Sequence, residues 1–217
     1  MSIKNYIKSK KHSNFFVSGI EILINDLPPK NIDVKKTVEI LIKIIPSKLL
    51  RNIKRILVGQ HEELRRREIQ AFYKDSSIYI TNQQESTEDM LDDLVHEVAH
   101  SLEDKYVTAL YDGNEMKREF LSKRKRLWRI ISKNRINLSL EDYLQADYNP
   151  RFDEFLYKEV GYNLLSSLTA GLFYSPYAAT SLEEYFANGF EAFYLRRDLP
   201  RLKSISPVLY NKILQLQ

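Results

Sequence analysis

The sequence predicts an α+β fold, with a small twisted sheet in the N-terminal half and a mainly helical C-terminal half. Short apolar segments with strand-like patterns lie before residue 82, whereas apolar residues recur at helical spacing after residue 86. Glycine (6) and proline (7) are scarce among the 217 residues, as expected of a helix-rich chain with few turns. This length favours a single domain over residues 1–217.

Strand and helix signals alternate in the N-terminal half. A helix is predicted to begin at Asp33 and to end at Pro46, and Ser47 is a suitable cap for a short helix that follows. The strand signals fall in four segments, of which the last two flank KDSS and indicate a hairpin: 14–24 with a glycine break, 55–59, 67–73 and 77–81.

Helical periodicity continues from residue 86 to the end of the chain. Ser86 or Thr87 is a suitable N-cap for a helix whose first turns carry acidic residues, where the helix dipole favours them. Four further helices are predicted over 115–133, 152–168, 181–196 and 207–217.

Composition and charge exclude several classes of protein. The chain has no cysteine, which excludes disulfides, a cysteine nucleophile and thiolate metal sites. A net charge of +4 is below what a nucleic-acid-binding protein usually carries, so nucleic acid is not expected as a partner. The basic N-terminus leads into no apolar segment, and the weakly polar stretch 164–174 is about half of what a bilayer requires. We therefore expect no transmembrane segment and a cytoplasmic protein, unless it is exported by a route that needs no signal peptide.

The segment LVHEVAH places His96, Glu97 and His100 within the helix that follows residue 86. Residues i and i+4 lie on one helix face, so both imidazoles can bind the same ion, and Glu97 can act on a bound water without being a ligand. Chance produces about 0.006 such patterns in a chain of this composition. The pattern therefore predicts a zinc site, and the alternative is a pair of histidines that only satisfies hydrogen bonds in the core.

A catalytic zinc needs three protein ligands and an open position for water. Because the chain has no cysteine, the third ligand must be a carboxylate or another histidine after the motif. Four carboxylates are candidates: Asp104, Glu119, Glu183 and Glu184.

HEVAH followed by YAATSLEEYFANGF (177–190) resembles the catalytic domain of anthrax lethal factor and the related clostridial pro-pro endopeptidases. In those proteins a tyrosine stands seven residues before a metal-binding glutamate, which opens a Glu–aromatic–Phe–Ala–x–x–Phe helix. The resemblance implies a zincin-like fold and a zinc endopeptidase of the gluzincin kind, with one Zn²⁺ per chain and a protein or peptide substrate. It further implies that Glu184 is the third ligand, that Tyr177 donates to the oxyanion, and that Glu183 lies at the surface or outside the ligand set.

Three features differ from that family, one of which is that its close members are secreted or toxin-borne whereas this chain shows no signal peptide. The span from His100 to Glu184 is longer, which indicates a helical insertion over about residues 105–150. Asn188 stands where family members often carry a glutamate near the zinc site.

We also expect strand 77–81 to be the sheet edge to which an extended peptide adds.

The basic segment 117–135 indicates an alternative function. It carries nine basic residues, Trp128 and a single acidic residue, Glu119, and could bind nucleic acid or an anionic membrane surface. A solvated helix face is the simpler interpretation of such a charge run. A catalytically inactive zinc fold that serves as a scaffold is a further alternative, against which the presence of both Glu97 and Tyr177 argues.

Overall fold

The structure is a computed structural model that describes residues 13–133 and 138–217. The described residues form two compact units, which divide between Asp104 and Lys105. A small mixed sheet lies in the N-terminal half and the remainder is mainly helical, so the predicted α+β class is confirmed. The expectation of one domain with an insertion over about 105–150 stays a prediction.

The first unit is built on a five-stranded sheet in the order β1-β2-β3-β5-β4. Its three central strands run parallel to one another, and the two outer strands pair antiparallel with their neighbours. The predicted glycine break is a turn at Ser18 and Gly19, both with positive φ, so segment 14–24 is a hairpin. The strands are β1 (Ser13–Val17), β2 (Ile20–Ile24), β3 (Arg55–Val58), β4 (Ala71–Lys74) and β5 (Ser77–Ile80).

Strand β5 is an interior strand, which corrects the expectation that segment 77–81 forms the sheet edge. It pairs with β3 on one side and with β4 on the other, so its backbone groups are occupied by both ladders. The prediction that an extended peptide adds to this strand is therefore wrong. The outer position belongs to β4, because the hairpin inserts its second strand, and not its first, next to β3.

Three helices belong wholly or partly to the first unit. Helix α1 (Val34–Ile44) begins as predicted, since the Asp33 carboxylate accepts a hydrogen bond from the amide of Lys36. Helix α2 (Glu62–Arg67) was not expected and covers the start of the segment predicted as a strand. Helix α3 (Thr87–Tyr111) is capped by the Ser86 hydroxyl and is interrupted by a non-helical residue at Tyr106.

The second unit is helical around an aromatic core in which Phe120, Phe173 and Tyr185 contact one another. π-Helical turns at Phe155–Gly161 and Ala192–Arg196 follow α6 and α8. No helix in 13–133 or 138–217 is long and apolar enough to cross a membrane. The helices are α4 (Glu115–Ser132), α5 (Leu140–Tyr143), α6 (Pro150–Glu154), α7 (Tyr162–Thr169), α8 (Leu182–Glu191), α9 (Leu199–Ile205) and α10 (Pro207–Gln215).

Helix α4 contains most of the basic segment and does not present all of it to solvent. Lys123 and Arg124 are 6% and 0% exposed, so a solvated helix face is wrong for these two residues. Trp128 is half-buried, and Arg135 lies outside the described residues. The exposed members of the segment are Lys117, Arg118, Lys125, Arg126, Arg129 and Lys133.

Candidate metal centre

Helix α3 holds the two motif histidines on a rigid backbone. Val95, Val98 and Ala99 are fully buried, which fixes this part of the helix in the core of the protein. His96 and His100 themselves are half-buried. The imidazoles are therefore attached to an immobile helix while their rings remain partly accessible.

The two imidazoles face each other through their Nε2 atoms. These atoms lie 3.1 Å apart, and the ring planes are inclined by 70°. Two nitrogens that bind one tetrahedral zinc, with bonds of about 2.0–2.1 Å, lie roughly 3.3–3.4 Å apart. The observed separation is close to this value, so the pair could chelate one ion with little rearrangement.

Glu103 fixes the chemical state of the second histidine. Its Oε1 lies 2.9 Å from Nδ1 of His100, and its side chain is only 12% exposed. Because an ionised carboxylate can only accept, this pairing places a hydrogen on Nδ1 and leaves the Nε2 lone pair for a metal. Glu103 was not predicted as a functional residue, although its spacing of three residues from His100 places it on the same helix face.

A second half-buried carboxyl, that of Asp93, lies one turn before His96. It accepts a hydrogen bond of 2.9 Å from Nε2 of Gln84. Burial raises the pKa of Asp93 to about 6, while the hydrogen bond from Gln84 and the nearby His96 act in the opposite direction. The motif helix thus carries acidic groups on both sides of its histidine pair.

Glu97 is the buried member of the motif. It is 6% exposed, although it follows directly after a half-buried histidine. Successive helix residues are rotated by about 100°, so the side chains of His96 and Glu97 leave the helix in different directions although the two residues are neighbours. This position suits a proton acceptor that is not itself a metal ligand.

The two neighbouring glutamates of α8 differ in their surroundings. The Ser181 hydroxyl accepts a hydrogen bond of 3.1 Å from the amide of Glu184 and so caps the helix. Glu184 is half-buried in the first turn, where the helix dipole favours a carboxylate, whereas Glu183 is exposed.

Within residues 13–133 and 138–217, one group of side chains could hold a metal ion, and it consists of His96, His100 and Glu184. One ligand atom from each residue lies within 4.8 Å of the other two. Two imidazoles and one carboxylate fit a catalytic zinc, which takes three protein ligands and keeps a fourth position open. The residues present therefore fit the metal that the motif predicts.

The other candidate ligands are not part of this group. Oε1 of Glu119 accepts hydrogen bonds from the Tyr185 hydroxyl (2.8 Å) and the Leu209 amide (3.1 Å), and Oε2 accepts from the Val208 amide (3.0 Å). Glu119 thus satisfies the N-terminal amides of α10. Asp104 is exposed.

Tyr177 begins a short 3₁₀ turn, Tyr177–Ala179, in the segment that precedes α8. It is 39% exposed, and its carbonyl accepts a hydrogen bond from the Thr180 hydroxyl. The backbone of Tyr177 is therefore fixed, while much of the residue remains accessible to a bound molecule.

Comparisons of the chain with protein-family models, curated proteins and solved structures found no match. The resemblance to the lethal factor and pro-pro endopeptidase family rests on the motif residues, and membership of that family stays a prediction.

Proposed function

We propose that the chain is a zinc-dependent endopeptidase with a zincin-like fold that hydrolyses peptide bonds in a protein or peptide substrate. The observation that carries the proposal is the pair of Nε2 atoms 3.1 Å apart on the HExxH helix, with Glu103 bound to the outer nitrogen of His100. His96, His100 and Glu184 would hold one zinc ion per chain.

The bound zinc would lower the pKa of a water towards about 7 and polarise the substrate carbonyl. Glu97 takes the proton of the attacking water and delivers it to the leaving nitrogen. The Tyr177 hydroxyl donates a hydrogen bond to the oxygen on which negative charge develops. A single donor of this kind typically contributes a factor of roughly 10²–10³ in rate.

The first test is the zinc content of the purified protein, measured by mass spectrometry. Wild type is compared with Glu184→Ala and, as the matched control, with Glu183→Ala on the same helical turn. We expect about one zinc per chain in wild type and in the control, and a sharp loss in Glu184→Ala. Wild type that contains no zinc even after zinc is added back would overturn the proposal.

The second test is cleavage of an internally quenched peptide library. We expect zinc-dependent cleavage by wild type, whereas Glu97→Ala should retain zinc and lose cleavage. Zinc binding without any cleavage by wild type would instead favour the inactive scaffold.

The exposed basic side chains of α4 support a second candidate function, the binding of nucleic acid or of an anionic surface. These exposed basic residues lie on the outer face of α4, whose apolar face is buried in the second unit. A salt-dependent shift assay on DNA and RNA checks this function, and it gains weight if wild type contains no zinc.

A further inference from the structure

The segment that carries Tyr177 connects α7 to α8 and is mostly irregular. Its backbone is held by a turn in which the Leu172 and Phe173 amides donate to the Thr169 carbonyl, by a bridge between Ala170 and Phe173, and by the 3₁₀ turn. A tyrosine hydroxyl contributes to catalysis only when it is held where charge develops. The side chains that hold this segment are therefore relevant to the function proposed above.

Two consecutive buried cations of α4 fix both ends of the segment. The Lys123 ammonium donates to the carbonyl of Leu172 (2.6 Å), and the Arg124 guanidinium donates to the carbonyl of Thr180 (3.1 Å). Consecutive helix residues point in directions about 100° apart, which lets neighbouring side chains reach carbonyls eight positions apart along the segment.

Each of the two cations also contacts groups of the second unit outside this segment. Lys123 donates further hydrogen bonds to the Ile205 carbonyl and to the Ser206 hydroxyl, which uses all three donors of the ammonium. The Arg124 guanidinium donates to the Asp142 carbonyl (2.9 Å) and lies 3.8 Å from the centre of the Phe152 ring. The ends of the segment are thus tied to the core of the second unit.

A third contact holds the middle of the segment next to Tyr177. The Ser175 hydroxyl donates a hydrogen bond to Oδ1 of Asn188 and accepts one of 3.4 Å from the amide of Ala178. Asn188 is 5% exposed and lies on α8, one turn after Glu184. One helix therefore carries the proposed metal ligand on one turn and a contact to the tyrosine segment on the next.

We propose that Ser175 and Asn188 are positioning residues which, between ends fixed by Lys123 and Arg124, hold Tyr177 in the place where its hydroxyl can donate to the oxyanion. This inference rests on the proposed peptidase function. Asn188 suits the role because its side-chain oxygen accepts from Ser175 without adding a charge beside the segment.

The first test measures amide hydrogen exchange by mass spectrometry on metal-free protein. Ser175→Ala and Asn188→Leu remove the hydrogen bond. The control is Ser167→Ala, which loses an exposed hydroxyl-to-carbonyl bond on α7. We expect the amides of residues 177–180 to exchange about 2- to 10-fold faster in these two variants and at the wild-type rate in the Ser167→Ala control. Unchanged exchange in both Ser175→Ala and Asn188→Leu would overturn the inference.

The second test is a double-mutant cycle on a quenched peptide that wild type cleaves. Ser175→Ala should lower kcat about 2- to 10-fold with KM unchanged, and should have no effect when Tyr177 is already replaced by phenylalanine. If the reductions in kcat of the two single variants multiply in the double variant, Ser175 acts independently of Tyr177. That result would overturn the positioning role and leave the proposed peptidase function standing. Wild type that cleaves no peptide would remove the proposed function, and the positioning role with it.

Discussion

Substitution of Glu103 perturbs the candidate metal centre while leaving every proposed ligand in place. In Glu103→Ala, Nδ1 of His100 loses its acceptor at 2.9 Å. The imidazole can then carry its hydrogen on Nε2, the atom that must be free to bind zinc, and the ring loses the contact that orients it.

The expected magnitude follows from the burial and geometry of this pair. The two side chains are 24% and 12% exposed, so water replaces the lost contact only in part. Removal of a carboxylate that supports a ligating histidine typically lowers metal affinity by a factor of 10–100, which is about 1.4–2.7 kcal/mol. Glu103→Gln keeps an uncharged acceptor oxygen and should lose less, at most roughly tenfold.

The assay is a competition for zinc between metal-free protein and a fluorescent chelator. The control is Glu154→Ala, which removes an exposed carboxylate that pairs with the exposed ammonium of Lys158 at 2.7 Å. We expect wild type and the control to bind zinc equally, Glu103→Gln to bind it more weakly, and Glu103→Ala most weakly. Wild-type affinity in Glu103→Ala would refute the argument that this carboxylate prepares His100 for the metal.

Three further outcomes test the second unit, each by urea unfolding. Gly189→Ala should lower stability by about 1–2 kcal/mol, because its Cβ would collide with the buried side chain of Leu209 and this clash exceeds the gain in helix propensity; an unchanged midpoint would contradict it. Glu119→Ala should cost about 2–3 kcal/mol at unchanged zinc content, since it deprives the buried Tyr185 hydroxyl and two helix amides of their acceptor; loss of zinc would instead support Glu119 as a ligand. Burial lowers the pKa of Lys123 to about 8, whereas the unfolded chain has a value near 10.4, so the unfolded state binds more protons between these two pH values and stability rises with pH. From pH 7 to 9.5 the free energy of unfolding of wild type should therefore increase by about 2 kcal/mol relative to that of Lys123→Met. A constant difference between the two proteins would contradict this.

Helix starts could be predicted from the sequence because capping is local. Asp33, Ser86 and Ser181 each accept a hydrogen bond from an amide three residues later, so the relevant contact lies within one turn. The place of β5 in the sheet could not be predicted in this way. A hairpin pattern shows which two strands pair, whereas the choice of the strand next to β3 depends on packing between segments distant in sequence.

The same distinction between local and distant contacts holds for the candidate site. The spacing of His96 and His100 predicts the facing imidazoles, since both lie on one helix. Glu184 could be selected from four carboxylates only through a family resemblance, because its chain distance from the motif carries no geometric information. The burial of Lys123 and Arg124 was missed because their acceptors, apart from the Ser206 hydroxyl, are backbone carbonyls from segments 18 to 82 residues away, and carbonyls leave no signal in a sequence.

The strand order of the sheet has a consequence for how the first unit folds. The hairpins β1–β2 and β4–β5 can each form from neighbouring residues, but β3 must be inserted between them through two parallel ladders that close long loops. We therefore expect the centre of the sheet to form slowly, after the two hairpins. A nascent or truncated chain that ends before β5 would expose the apolar strand β3 without a partner on one side, and we expect such fragments to aggregate.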